Sequence, residues 1–298
     1  MSHVVGIDLG GSSIKAVCVS SGGGLLAEAN VPFVDRDREW ADKVRALAAD
    51  FARAHGPADA IGLSAPGLTA RDGRSIAFMP GRLSGLEGLD WTSWLGATRP
   101  VPVLNDAHAA LLGEIWKGAA RGATNAILFT LGTGVGGAAM VDGHLLRGHL
   151  GRAGHLGHVT VDFEGAPDSV NAPGSIEGEI GNKNIRERSG GRFRTTLELV
   201  DAHRAGDAEA TRLWLRSTKA LAAAIASLVN VLDPEVVIVG GGIARAGEAL
   251  FGPLRKDLER FEWRPGGSRV RVVPAELGDL AGAYGAAWNA LSVGRAAH

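Results

Sequence analysis

Apolar and polar positions along the chain form a strand–turn–strand pattern that occurs twice. Val4-Val5-Gly6-Ile7-Asp8 is a short apolar run of the kind a buried strand shows, and it ends in the turn Leu9-Gly10-Gly11-Ser12. Ile14, Ala16 and Cys18 then alternate with Lys15, Val17 and Val19, predicting a second strand up to Gly22-Gly23-Gly24. Val44, Leu47, Ala48 and Phe51 recur at helical spacing and predict a helix over 38–53. Ala60 to Ser64 reads as a strand ending in the loop Ala65-Pro66-Gly67. The stretch 101–104 reads as another, delivering Asn105-Asp106 to a helix over 107–116.

Near Gly118 the pattern begins again. Ala126 to Thr130 is a predicted strand, Gly132 to Gly137 a glycine turn, Ala138 to Val141 a returning strand, and Asp142-Gly143 a two-residue hairpin signal. Superimposing Asp8-Leu9-Gly10-Gly11-Ser12 on Thr130-Leu131-Gly132-Thr133-Gly134 aligns the two units, so a duplicated α/β fold is expected. Ala208 to Leu232 reads as a long Ala/Leu helix stopped by Asp233-Pro234. A strand over 235–239, a helix opened by Gly240-Gly241-Gly242 and a small-residue helix over 279–291 complete the chain. The expected division is an N-terminal lobe over 1–117, completed by the C-terminal helix 281–298, and a C-terminal lobe over 118–280.

Charge and composition narrow the functions. The 31 Lys and Arg nearly cancel the 32 Asp and Glu, which argues against a nucleic-acid partner. Glycine, 44 of 298 residues, is about twice its usual share of roughly 7%, and it clusters after apolar runs, where backbone approaches a ligand closely. Cys18 is the single cysteine, so neither an intrachain disulfide nor a cysteine-based zinc site can form. The apolar stretch Leu221 to Leu232, interrupted by Ser227 and Asn230, is shorter than the ~20 residues that span a bilayer. No signal-peptide pattern precedes the first strand. No membrane association and a cytoplasmic location are therefore expected.

Gly132-Thr133-Gly134-Val135-Gly136-Gly137 satisfies G-x-G-x-x-G, but the dinucleotide fingerprint requires a helix to follow, and here a strand and hairpin follow. No G-K-[ST] ends the motif, which excludes a Walker loop. A glycine turn between strands remains, and its backbone N–H groups can cradle phosphate oxygens. One such turn would be an ordinary hairpin; two equivalent turns, with a third glycine triplet after a strand, point to phosphate loops. Beside the first turn, Asp8 reads as the carboxylate that holds Mg²⁺ through water. Lys15 suits a phosphate contact and a solvated position equally. Asn105 and Asp106 are both preferred helix N-caps. Next to phosphate loops, Asp106 also reads as a base that takes the proton of an attacking hydroxyl, and one residue could serve both roles.

Asp8-Leu9-Gly10-Gly11-Ser12-Ser13-Ile14-Lys15, Asn105-Asp106-Ala107-His108…Gly113-Glu114 and Leu131-Gly132-Thr133-Gly134-Val135-Gly136-Gly137 together resemble the ROK family of sugar kinases and sugar-responsive repressors. Gly148-His149-Leu150-Gly151-Arg152-Ala153-Gly154-His155-Leu156-Gly157-His158 and Val237-Ile238-Val239-Gly240-Gly241-Gly242 extend the resemblance over nearly the whole chain. It implies an actin/hexokinase-like (ribonuclease H-like) duplicated two-lobed fold with an interlobe cleft, ATP with Mg²⁺, a monosaccharide acceptor and a homodimer. It further implies Asp106 as the base, with Asn105, His158 and Glu177 on sugar hydroxyls. Gly10, Gly11, Ser12, Gly132, Thr133 and Gly134 would hold phosphates, and Gly240, Gly241 and Gly242 would lie near the nucleoside.

Three departures concern the acceptor side. His155 stands at a sugar-binding position where the family usually carries glutamate. Met79-Pro80-Gly81-Arg82 replaces a segment that often supplies a sugar-contacting asparagine, and Arg82 is expected near the same pocket. Asp162 to Ser175 replaces the family's cysteine-rich zinc segment, so no structural zinc is expected. His144, His149, His155 and His158 are close in sequence, but metal ligands must converge in space. An ATP-dependent sugar kinase is the expected function, and a poor response to plain glucose is expected from His155. Two alternatives compete with this reading. A repressor would need a helix-turn-helix ahead of the first turn, where this sequence begins with its strand. A catalytically weakened sugar-binding protein is disfavoured by Asp8, Asp106 and both turns.

Overall fold

In the computed structural model, residues 2–296 are described; Met1, Ala297 and His298, the last two at the end of the expected closing helix, lie outside them. Two compact units divide the chain. One comprises Met1–Gly122, Arg147–Ala153 and Glu276–His298, the other Ala123–Leu146 and Gly154–Ala275.

The first unit contains β1 (His3–Leu9), β2 (Ser13–Ser20), β3 (Leu25–Pro32), α1 (Glu39–His55) and β4 (Ala60–Ala65). A small hairpin of β5 (Leu68–Thr69) and β6 (Ile76–Phe78), then α2 (Trp91–Leu95), β7 (Val103–Asn105) and α3 (Asp106–Lys117) follow. Its sheet has the order β3-β2-β1-β4-β7, with β1, β4 and β7 parallel and β2 and β3 antiparallel. All seven residues of β1 are buried. Because side chains alternate along a strand, Val5, Ile7 and Leu9 pack with Trp40, Val44, Leu47 and Phe51 of α1. Val4 faces the other way, against the chain's last helix.

The second unit repeats the plan with β8 (Ala126–Leu131), β9 (Val135–Val141), β10 (His144–Leu145), α4 (Ile176–Ile180), α5 (Ile185–Arg188) and α6 (Thr196–Arg204). It continues with α7 (Ala208–Leu232), β11 (Val236–Gly240), α8 (Glu248–Phe261) and β12 (Arg271–Pro274). Its sheet order, β10-β9-β8-β11-β12, matches the first unit strand for strand and direction for direction. The duplication inferred from the two glycine turns is thus a duplication of whole sheets. By length and composition α7 could cross a membrane. In this fold it buries Trp214, Leu221 and Ile225 against Val237, Val239 and Leu254, and turns Arg212, Arg216 and Lys219 outward.

Some local features differ from the sequence expectation. Gly240-Gly241-Gly242 does not open an α-helix: a 3₁₀ turn spans Gly242–Ala246 and α8 starts at Glu248. Strand β3 was not anticipated; it is an edge strand, half exposed, and its alternating apolar positions Ala27, Ala29 and Val31 are only partly buried.

The C-terminal helix α9 (Ala281–Ala296) belongs to the first unit and seats where glycines let backbones meet. A Cβ on Gly6 would lie 1.9 Å from the Ala283 carbonyl oxygen, and one on Gly62 would lie 2.0 Å from that of Ala286. On the other flank, α3 and α9 meet through Gly113 and Gly285. Glu114, fully buried, accepts backbone N–H bonds from Glu276 and Leu277 at 2.9–3.1 Å and from Ala119 at 2.8 Å, which ties the entry of α9 to α3. Since backbone cannot yield as a flexible side chain does, Gly62→Ala is expected to destabilise the chain by about 3 kcal/mol or more. A Gly62→Ala protein whose thermal midpoint matches wild type would overturn the tight seating.

Candidate active site

In open α/β sheets, ligands bind beyond the carboxyl ends of the parallel strands. Strand register brings the first unit's polar groups to that edge: Asp8 lies beside Ser64, and Ala65 beside Asn105. Asp8 is 9% exposed, and its carboxylate accepts a hydrogen bond from the Ser64 hydroxyl. Helix α9 covers it closely, since a Cβ on Gly282 would lie 2.7 Å from the Asp8 carboxyl carbon. Burial raises the Asp8 pKa to about 6; Ser64 and Lys15 pull it down, while the charges of Asp106 and Asp279 push it up. Lys15 is the cross-strand partner of Asp8.

At the start of α3, the two sequence candidates divide the work. Asn105, 5% exposed, is the N-cap: its Oδ1 accepts from the N–H groups of Ala107 (3.0 Å) and His108 (3.4 Å). Its Nδ2 donates to the Gly67 carbonyl at 2.9 Å, leaving one amide hydrogen for another partner. Asp106 is the first helical residue, exposed, with Oδ1 accepting from the Ala107 N–H at 2.8 Å. The capping role that sequence allowed to Asp106 therefore falls to Asn105.

The first glycine turn is held by its carbonyls. Gly10 N–H donates to Ser13 O at 3.0 Å, Ser12 O accepts from Phe33 N–H at 3.0 Å, and Gly11 O accepts from the Arg82 guanidinium. The N–H groups of Gly11 and Ser12 enter none of these bonds. Arg82 thus stands at the turn, and with Asp35, Met79, Pro80 and Glu87 it lines a depression of about 500 Å³.

In the second unit the turn is braced in the same way. Gly134 O accepts from Gly132 N–H at 2.9 Å, Gly132 O from Asn182 N–H at 3.0 Å, and Thr133 O from Lys183 N–H at 2.9 Å. The N–H groups of Thr133 and Gly134 stay out of this bracing. Gly132, Thr133 and Gly242 line a cavity of about 380 Å³, together with Thr196, Val200 and Arg245. Gly240 and Gly241 do not line it. Gly241 sits at φ 87°, where a Cβ would meet the Leu131 carbonyl oxygen at 2.3 Å, so its absence of side chain serves strand packing. Sequence reasoning missed the wall made by the start of α6. Thr195-x-x-Glu198 is the available signal, a capping pattern in which Thr195 does cap α6 through Glu198 N–H.

The remaining candidates also lie in this unit. Glu177 Oε2 accepts from Val135 N–H at 3.0 Å, and only a glycine at 134 leaves room for that carboxylate. His158 Nδ1 lies 2.8 Å from Asp168 Oδ2, and Ser169 Oγ donates to Glu177 Oε1 at 3.3 Å. Burial alone would raise the Asp168 pKa. Hydrogen bonds from His158, Ser175 and the N–H groups of Val170 and Ala172 instead hold it at about 2. His155, half-buried, precedes the 3₁₀ turn Leu156–His158. Among the described residues, no three His, Cys, Asp or Glu side chains converge as a metal site.

Comparison with known proteins follows the same outline. The ROK family model matches residues 4–293. The chain is 33% identical to a glucokinase of Thermotoga maritima, over 95% of this chain and 96% of that protein. It superposes on a ROK hexokinase structure from Thermus thermophilus with a TM-score of 0.86 and 32% identity, covering 99% of each chain. A ROK family glucokinase structure from Streptomyces griseus, in complex with glucose and AMPPNP, gives a TM-score of 0.79 at 27% identity, covering 98% of this chain and 100% of that one. The chain belongs to the ROK family. Its two α/β units have the actin-like fold of those kinases.

The buried charge of Asp8 has a measurable consequence in metal-free buffer. Its raised pKa means that protonation favours the folded state. That contribution is complete below the unfolded value of 3.8 and is lost as pH rises through about 6. Asp8→Asn keeps an acceptor for Ser64 and removes the charge. It should therefore be more stable than wild type at pH 7.5, by up to about 3 kcal/mol. Thermal melts from pH 7.5 to 4.5 should show the advantage shrinking below pH 6. A pH-independent difference would mean that Asp8 carries no desolvation cost.

Proposed function

We propose that this chain, an ATP-dependent carbohydrate kinase of the ROK family, transfers the γ-phosphate of ATP to a monosaccharide hydroxyl with Asp106 as general base. The observation that carries the assignment is the division at the start of α3, where Asn105 caps the helix and leaves an exposed carboxylate one residue on. As the sugar oxygen bonds to the γ-phosphorus, its proton passes to Asp106 and the bond to the bridging oxygen of the ADP leaving group breaks. Asn105 offers its remaining amide hydrogen to the sugar, and His155, His158 and Glu177 take further hydroxyls.

Phosphates suit the backbone N–H groups of Gly11, Ser12, Thr133 and Gly134, in turns closed by the Gly10 and Gly132 N–H bonds, with Lys15 as an added charge. The nucleoside suits the cavity lined by Gly242, the last residue of the Gly240-Gly241-Gly242 segment. A single, largely buried carboxylate fits a cation that keeps its water shell, so Asp8 would hold Mg²⁺ through water. Bound there, the ion would offset phosphate charge. The family resemblance also supports a homodimer acting in the cytoplasm.

Two experiments address this reading. Because Asn105 supplies the cap, Asp106→Asn should change stability by no more than about 0.5 kcal/mol while lowering kcat by roughly 10²-fold or more. Retention of most of the wild-type kcat would remove Asp106 from the chemistry. The second concerns specificity. An ionised carboxylate only accepts hydrogen bonds, whereas neutral histidine offers one donor and one acceptor, and a mismatch leaves buried groups unpaired. Glucose is therefore expected to be a poorer acceptor than a ketose, an amino-acyl sugar or an acidic derivative, with His155→Glu restoring glucose. If wild type already ranks glucose first and the variant keeps that ranking, His155 does not set specificity.

A further inference from the structure

Asp168 takes no part in the reaction as drawn, yet its side chain is wholly enclosed, at 0% exposure. Both oxygens are engaged. Oδ2 meets His158 Nδ1 at 2.8 Å, and Oδ1 accepts from the N–H groups of Val170 (2.9 Å) and Ala172 (3.0 Å). The next residue, Ser169, reaches Glu177, whose other oxygen is held by Val135 N–H. One loop thus grips both His158 and Glu177. The loop itself is closed by backbone bonds: Val161 and Asp162 N–H donate to Gly174 O, and Gly174 N–H donates to Ala166 O at 2.9 Å.

An ionised carboxylate cannot donate, so the proton of this contact must sit on His158 Nδ1. In the neutral ring, Nε2 is then an acceptor, because the hydrogen bond at one nitrogen decides what the other presents. The segment does not fit zinc. Residues 162–175 contain no cysteine, and a carboxylate occupies the Nδ1 side of the ring.

We propose that Asp168 is a positioning residue that locks His158 in the Nδ1–H form, so that Nε2 accepts a hydrogen bond from a sugar hydroxyl, with no metal ion at the ring. The proposal rests on reading His158 as an acceptor-site residue. In Asp168→Asn, Oδ1 can keep the two backbone N–H bonds, which turns the amide NH₂ toward Nδ1. Two donors would then face each other, and the ring should change to the Nε2–H tautomer.

The test begins with ligand-free wild type at pH 8.5, by ¹⁵N NMR of the histidine rings, with His158 assigned from the signal lost in His158→Gln. An Nδ1–H tautomer is expected. Asp168→Asn should show Nε2–H, with the sugar KM raised about 10–100-fold and the ATP KM unchanged, as loss of one buried acceptor implies. Wild-type His158 found with Nε2–H and bare Nδ1 overturns the proposal, even if the variant fails to fold. So does a folded Asp168→Asn with wild-type sugar KM, or one zinc per chain surviving dialysis against a chelator. The tautomer is read without turnover, so a protein that phosphorylates no sugar would sink the kinase reading while this measurement still decides the role of Asp168.

Discussion

The first unit depends on how closely α9 can approach β1, β4 and α3. Glycines at 6, 62, 113 and 285 remove the side chains that would hold these backbones apart, and Ala283 and Ala286 present carbonyls at the contact. Such packing contributes dispersion contacts along the whole interface and tolerates little added volume. It also fixes chemistry. The same helix lays Gly282 against the Asp8 carboxylate, and that enclosure makes its charge costly, a cost that the Ser64 hydroxyl only partly offsets. A residue far from Asp8 in sequence therefore controls the electrostatics at the end of β1.

Both units solve the same problem with the same sheet. Parallel strands end together at one edge, glycine turns follow the first strand of each unit, and the carbonyls of Gly11, Ser12, Gly132, Thr133 and Gly134 are engaged in bracing bonds. What remains at the turns is the backbone N–H of Gly11, Ser12, Thr133 and Gly134, the group that suits phosphate. The units differ in what stands beside the turn. In the first it is carboxylates and Arg82; in the second it is a mostly apolar cavity and the polar loop 162–175. That loop holds its shape by hydrogen bonds converging on one buried carboxylate, a local device requiring no metal ligand.

Much of this was legible in the sequence. Buried strands such as Val4–Asp8 and Ala126–Thr130 betray themselves by unbroken apolar runs, and the turns by glycine. The duplication follows from aligning them, and α7 from its Ala/Leu periodicity and terminal Asp-Pro. These features are local: propensity and side-chain period act over a few neighbouring residues. The edge strand β3 was not legible, because an edge strand buries little: its alternating Ala27, Ala29 and Val31 stay partly exposed and give little apolar contrast. Nor was the 3₁₀ turn after Gly242.

Sequence also supplied the candidates: Asp8 by its place beside a glycine turn, Asp106 by its place at a strand-to-helix junction, and His158 and Glu177 through the resemblance to the ROK family. Only the tertiary structure decided what each one does with its hydrogen bonds. Asn105 rather than Asp106 caps α3, Arg82 lies on the Gly11 carbonyl, and Glu114 clamps backbone 162 positions away. Asp168, which no motif marks, meets His158. The reason is physical: strand and helix signals are written in the order of residues, whereas burial, charge and hydrogen-bond partners are set by chain segments that meet only after folding.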